Sequence, residues 1–191
     1  AGGWLARAAV GYGMDKSRGN DLQIDIDSIL GIVTLGSPHV PCPEGCVDIT
    51  GGALRIVHDE FPGAFLNDRL FYVSAAGSAL NVEDEQIAMP SSADSSMQSE
   101  ADRMLAYQSY KLLSGQGHQD GDGIVPLPLA HLEGSNLQIT LQNVFHTSML
   151  HQQHQQHGSA ASASCWYGSK EIVHQWFNPV LHKVLPAMMM Q

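Results

Sequence analysis

The sequence predicts an α/β protein built on a parallel sheet. Two short runs, residues 28–35 and 70–75, consist mainly of apolar and β-branched residues, which is typical of strands that are buried on both faces. A third run, residues 137–145, alternates apolar and polar residues as a half-buried or edge strand does. Helix-like stretches separate these runs, so we expect strands that alternate with helices and therefore pair in parallel.

Stretches in which apolar residues follow helical spacing lie before, between and after the predicted strands. The predicted helices cover residues 1–10, 51–65, 104–113 and 169–185. We expect Gly11 and Gly13 to stop the first helix, and Gly77 to end the second strand, because glycine weakens both kinds of element. Pro179 is expected to interrupt or kink the last helix, since proline cannot donate a backbone hydrogen bond.

Two polar stretches break this pattern. Residues 78–103 are rich in Ser, Asp, Glu, Met and Gln without a clear period, which predicts an exposed insertion in a position where a lid could cover a site. Residues 151–164 begin with H-Q-Q-H-Q-Q-H and continue as a Ser/Ala run, which indicates a solvated low-complexity loop. Three histidines at this spacing could bind a metal, but nothing nearby completes a coordination set, so we expect no metal.

Composition bounds the possible functions. With 43% hydrophobic and 15% charged residues, the chain is expected to form one ordinary globular domain over residues 1–191. A net charge of -10 repels phosphate backbones, so nucleic acid is excluded as a partner, and no apolar run approaches the roughly 20 residues of a transmembrane helix. Peripheral membrane contact stays open. Cys42, Cys46 and Cys165 are expected to be structural thiols, with a local Cys42–Cys46 disulfide as the alternative.

Five short motifs follow one another in a specific order. The chain opens with A-G-G-W-L-A-R, and the later motifs are T-L-G-S-P-H at 34–39, G-D-G-I-V-P at 121–126, V-F-H at 144–146 and W-Y-G-S at 166–169. Together they resemble the plant and algal α/β-hydrolase family related to lipases and GPI inositol-deacylase-like esterases, whose intact members read G-H-S-A-G-G-W at the nucleophile turn. The resemblance spans most of the chain outside the two polar stretches.

The resemblance implies the C-terminal part of one α/β-hydrolase domain, in which the three predicted strands correspond to the sixth, seventh and eighth. The serine nucleophile would lie just upstream of Ala1, and the backbone N–H of Ala1 would contribute to the oxyanion hole. The implied activity is hydrolysis of lipid or other apolar acyl esters without a cofactor. We expect the 191 residues to be inactive without the serine.

The same resemblance selects two triad residues. Asp122 would be the acid and His146 the general base, because the histidine of this fold lies on the loop after the last strand. Asp120 is the alternative acid and His131 the alternative base, and an Asp-Gly turn without catalysis also explains Asp122. Ser37 is not expected to be a nucleophile, because Pro38 prevents a helix from following it directly.

Two other functional classes are consistent with the sequence. A noncatalytic binding or scaffold protein of the same fold would need no serine. An acyltransferase would use the same triad and differ only in excluding water. The family's photosynthetic hosts suggest a chloroplast location.

Overall fold

The described chain consists of residues 1–14, 24–82, 96–148 and 165–189 of a computed structural model. The strands are β1 (Gly31–Leu35), β2 (Phe71–Ser78), β3 (Leu80–Asn81), β4 (Asp120–Gly121) and β5 (Leu137–Gln142). Three of them form a parallel sheet in the order β1-β2-β5, and β3 pairs with β4 in a separate antiparallel ladder. The α/β class is therefore confirmed, with three parallel strands.

Six α-helices accompany the strands in the described residues. They are α1 (Gly2–Met14), α2 (Ala53–Glu60), α3 (Ser96–Ser114), α4 (Leu127–Ala130), α5 (Lys170–Pro179) and α6 (Leu185–Met189). A π-helical segment, Val180–Val184, joins the last two. It follows Pro179, whose ring disfavours the regular α-helical hydrogen-bond pattern, so the expected interruption occurs at this position.

The centre of the sheet is β2, which is buried at seven of its eight positions. Its continuous apolar sequence reflects neighbours on both edges and cover on both faces. In β1 buried and half-buried residues alternate, and the half-buried Val33 and Leu35 still pack against core clusters, so this strand is covered on both faces as predicted, although less completely than β2. In the described sheet β1 lies at an edge, and edge strands bury less of their surface. The alternation in β5 fits its place at the other edge.

Helices cover both faces of the sheet. On one face, Val10 of α1 packs in a core cluster with Ile32 and Tyr72. On the other face, Phe71 and Val73 pack with Val180 and Val184 of the π-helical segment. Successive residues of a strand point to opposite faces, which explains why neighbouring residues of β2 belong to different clusters.

The three glycines that were expected to end their elements lie in different places. Gly11 is inside α1, so the expected end there is wrong, whereas Gly13 and Gly77 each lie one residue before the last residue of α1 and of β2. A Cβ atom at Gly11 would lie 2.5 Å from the ring of Phe61. The glycine at position 11 is therefore explained by the close packing of α1 against Phe61 and not by the end of the helix.

Of the predicted exposed insertion at residues 78–103 the structure describes the two ends, and Glu100, Ala101 and Arg103 at the second end are exposed. Ser78 still belongs to β2, Val82 is buried, and α3 already begins at Ser96. Leu80 pairs with Gly121 in the antiparallel ladder, and it packs with Ala106 of α3. Residues 83–95 and the low-complexity loop at 151–164 lie outside the described residues.

The buried leucine before β2 provides a test of this core. Leu70 is 1% exposed, whereas Leu30 is 63% exposed. We expect Leu70→Ala to lower the free energy of unfolding by about 2 to 5 kcal/mol, because it leaves a cavity. Leu30→Ala is the matched control and should change it by less than about 0.5 kcal/mol. Urea denaturation measures both, and equal losses would contradict this description of the core.

Candidate active site

Asp122 and His146 form a hydrogen-bonded pair beyond the carboxyl ends of the strands. Asp122 directly follows β4, and His146 lies on the loop after β5. The Nδ1 atom of His146 is 2.8 Å from Oδ2 of Asp122. The backbone N–H of His146 also donates to the Asp122 carbonyl at 2.8 Å. The two loops are therefore joined through both backbone and side chain.

The other oxygen of Asp122 is held by its own turn. Oδ1 accepts the backbone N–H groups of Ile124 at 3.0 Å and Val125 at 2.7 Å. Gly123, between Asp122 and Ile124, has a φ of 92°, a conformation that residues with a Cβ rarely adopt. The turn role and the proposed triad role of Asp122 are thus compatible, because each uses a different carboxylate oxygen.

The pair determines which nitrogen of His146 is available. A carboxylate oxygen accepts hydrogen bonds, so Nδ1 carries the shared proton and Nε2 is left as the basic nitrogen. The side chain of His146 is 28% exposed, whereas that of Asp122 is 1% exposed. A buried carboxylate that orients a partly exposed imidazole is an arrangement that can support general-base catalysis.

Tyr167 also contacts the carboxylate, and sequence reasoning gave it no role. Its hydroxyl donates to Oδ2 of Asp122 at 2.9 Å and accepts the backbone N–H of Gly77 at 2.6 Å. Burial, reinforced by the charge of Asp122 and this hydrogen bond, raises the pKa of Tyr167 well above its ordinary value. The tyrosine therefore stays a neutral donor. Its place in the W-Y-G-S motif was the available signal.

The turn that carries Tyr167 is fixed beside the histidine loop. The N–H of Phe145 donates to the Cys165 carbonyl at 2.8 Å, and Phe145 forms a parallel bridge with Trp166. From α5, the indole N–H of Trp176 donates to the carbonyl of Tyr167 at 3.0 Å. Three separate contacts thus hold this turn against the end of the sheet.

Small residues bring the end of the sheet close to the carboxylate. A Cβ atom at Gly36 would lie 2.5 Å from Oδ2 of Asp122, and Gly36 has a φ of 53°. A Cβ atom at Gly77 would overlap the carbonyl oxygen of Val144. A larger residue at Gly36 would push Asp122 away, and one at Gly77 would push Val144 away. This close approach is the physical reason for glycine at the carboxyl ends of β1 and β2.

The amino end of α1 lies beside the same part of the sheet. The N–H of Gly3 donates to Oγ of Ser37 at 3.1 Å, and Ser37 directly follows Gly36. Ala1 is exposed, and its carbonyl accepts the N–H of Leu5 at 3.3 Å. The oxyanion role of the Ala1 N–H stays a prediction. Ser37 contacts α1 through its hydroxyl.

The alternative triad residues have other partners. Oδ2 of Asp120 accepts the hydroxyl of Ser78 at 2.6 Å. Nε2 of His131 is 3.1 Å from Oγ1 of Thr140, on the exposed side of β5. Of these four candidate residues, Asp122 and His146 are the two that the structure joins by a hydrogen bond.

A second polar cluster fastens α1 to β1, and sequence reasoning missed it. Arg7 of α1 and His39 are both buried, and Nη1 of Arg7 donates to Nδ1 of His39 at 3.2 Å. His39 therefore donates from Nε2 to Oγ1 of Thr34 at 3.0 Å. Burial, reinforced by the charge of Arg7, lowers the pKa of His39 to about 3. The imidazole is neutral in the folded chain.

Comparison of the chain with protein-family models, with curated proteins and with solved structures finds no match. The described residues contain no group of three His, Cys, Asp or Glu side chains that could hold a metal ion. In the same parts of the chain, no helix has the length and apolar character needed to cross a membrane.

The neutral state of His39 predicts a pH dependence of stability. Unfolded histidine takes up a proton near pH 6.5, but folded His39 does not do so until about pH 3. Between these values the unfolded chain binds more protons, so we expect the free energy of unfolding to fall with decreasing pH. The contribution is at most about 1.4 kcal/mol per pH unit.

Urea denaturation from about pH 7 to about pH 4 measures this contribution. His39→Gln should reduce the slope, because its amide oxygen accepts from Arg7 without titrating. His174→Gln, on the exposed side of α5, is the matched control and should keep the slope. Identical slopes for wild type and His39→Gln would contradict the neutral, buried state of His39.

Proposed function

We propose that this chain supplies the acid and the base of a serine ester hydrolase of the α/β-hydrolase fold. The observation that carries the proposal is the 2.8 Å bond between His146 Nδ1 and Asp122 Oδ2, with the His146 ring partly exposed. Three parallel strands that neighbour one another, with acid before histidine on the loops after them, support this fold. The plant and algal lipase-like family remains the expected relative.

The chemistry follows from the order of these groups. A serine from a segment before Ala1 would attack the ester carbonyl, and His146 Nε2 would take its proton. Asp122 would keep Nδ1 protonated and stabilise the imidazolium. His146 would then return the proton to the leaving alcohol, leaving an acyl-enzyme. Water would release the acid by the same two proton transfers.

Backbone N–H groups at the amino end of α1 would stabilise the oxyanion, because helix amino ends favour negative charge. The contact between Gly3 and Ser37, together with the approach of Gly36 to Asp122, brings this helix end towards the acid. The turn at residues 36–37 therefore contacts α1 through Ser37 and lies against the acid through Gly36.

An apolar substrate is supported by the loop after β1. Its side chains Val47 and Ile49 are 71% and 59% exposed, and they lie beside Val40 and Leu112. This loop continues from Gly36, which lies against the acid. Exposed apolar side chains in a cluster are typical of surfaces that bind apolar ligands. Lipid or other apolar acyl esters are therefore the proposed substrates.

Hydrolysis and acyl transfer would use the same pair of Asp122 and His146, and they would differ in whether water reaches the acyl-enzyme. A transferase must exclude water from the acyl-enzyme, whereas a hydrolase must admit it. A binding protein without catalysis would not require a carboxylate to orient an imidazole.

The test uses a longer protein in which a segment that carries the proposed serine precedes Ala1. We expect Asp122→Asn to lower kcat on short-chain nitrophenyl esters by about 10⁴-fold and His146→Ala to lower it by about 10⁶-fold. His131→Ala is the matched control and should retain nearly full turnover, because His131 pairs with Thr140. The 191 residues alone should show no turnover. Near-normal kcat in either triad variant would refute the assignment.

A further inference from the structure

One oxygen of Asp122 receives two side-chain donors. Oδ2 accepts from His146 Nδ1 at 2.8 Å and from the Tyr167 hydroxyl at 2.9 Å. The Tyr167 oxygen in turn accepts the N–H of Gly77 at 2.6 Å. The hydroxyl is thus polarised by β2 on one side and directed at the carboxylate on the other, and such chains of hydrogen bonds strengthen one another.

The position of Tyr167 is restricted on several sides. Its ring meets that of His146 edge to face, with centroids 6.2 Å apart. A Cβ atom at Gly36 would lie 2.7 Å from the Tyr167 hydroxyl, so the backbone of residue 36 closes one side. Trp176 holds the Tyr167 carbonyl. The hydroxyl therefore has a fixed direction.

We propose that Tyr167 is a positioning residue that fixes the carboxylate of Asp122 and limits the share of its negative charge that reaches His146. A second donor on Oδ2 draws charge away from the bond to Nδ1 and stops the carboxylate from rotating. As far as it concerns catalysis, this inference rests on the proposed function. Its effect on the Asp122–His146 bond exists independently of any reaction.

The groups that face Asp122 are few in the described chain. They are His146, Tyr167 and Tyr110, together with the N–H groups of the acid's own turn. Burial raises the pKa of both tyrosines well above its ordinary value, so both hydroxyls keep their protons. The two tyrosines differ in their partners at this site.

Tyr110 provides a matched control. Its buried hydroxyl accepts the N–H of Gly123 at 2.8 Å and donates to the Leu80 carbonyl at 3.2 Å. It therefore supports the same turn without donating to the carboxylate. Tyr110→Phe and Tyr167→Phe each remove one buried hydroxyl and leave one backbone N–H without its partner, so their structural costs are comparable.

The experiment measures the Nδ1 proton of His146 by NMR in the 191-residue chain. In Tyr167→Phe the bond to Nδ1 receives the full charge of Oδ2, so we expect the resonance to move downfield. In Tyr110→Phe we expect no shift. Equal shifts in the two variants, or none in Tyr167→Phe, would overturn the proposal. The comparison does not depend on turnover.

A second substitution covers the case in which Tyr167→Phe does not fold. Site-specific 3-fluorotyrosine at position 167 keeps the shape of the side chain and makes its hydroxyl a stronger donor. The Nδ1 resonance of His146 should then move upfield, and an unchanged resonance would overturn the proposal.

In the longer protein, Tyr167→Phe should lower kcat about tenfold with little change in KM, because positioning is lost while substrate contacts remain. The acid limb of its pH–rate profile should move to higher pH, which a purely structural defect would not cause. An unmoved acid limb would count against the positioning role. If Asp122→Asn retains turnover, the hydrolase proposal fails, whereas the NMR result still decides the role of Tyr167.

Discussion

The buried carboxylate of Asp122 is the constraint on which this region of the structure depends. A charge removed from water is tolerated only where hydrogen bonds replace its hydration. Four donors do so: two backbone groups of the acid's own turn, the imidazole of His146 and the hydroxyl of Tyr167. Three separate chain segments therefore meet at this carboxylate, and each contributes hydrogen bonds that stabilise its charge.

The parallel sheet makes this meeting possible. Strands that run in the same direction deliver their carboxyl ends, and the loops that follow, to a single edge. Gly36 follows β1, Gly77 lies near the end of β2, and His146 follows β5. On the other side of the residue 36–37 turn, the buried pair of Arg7 and His39 fixes α1 to β1. The site is thus supported by regular elements on both sides.

Much of this arrangement could be predicted from local pattern. Apolar runs located β1 and β2, and an alternating run located β5. The two residues selected by the motifs, Asp122 and His146, are joined by a hydrogen bond. Contacts between distant segments could not be predicted in this way. Gly11 and Gly77 have the composition of chain breaks, yet they exist because Phe61 and Val144 approach their backbones. Tyr167 lies 45 residues beyond its acceptor, and no periodicity connects them.

The hydrogen bond from Phe145 to Cys165 has a consequence for how the chain tolerates variation. This bond joins the two ends of the intervening segment next to His146. Because the entropy of closing a loop grows only with the logarithm of its length, a change in chain length between these two anchors alters the closure entropy only slightly. The hydrogen bond therefore fixes Phe145, the neighbour of His146, separately from the length of chain between the anchors.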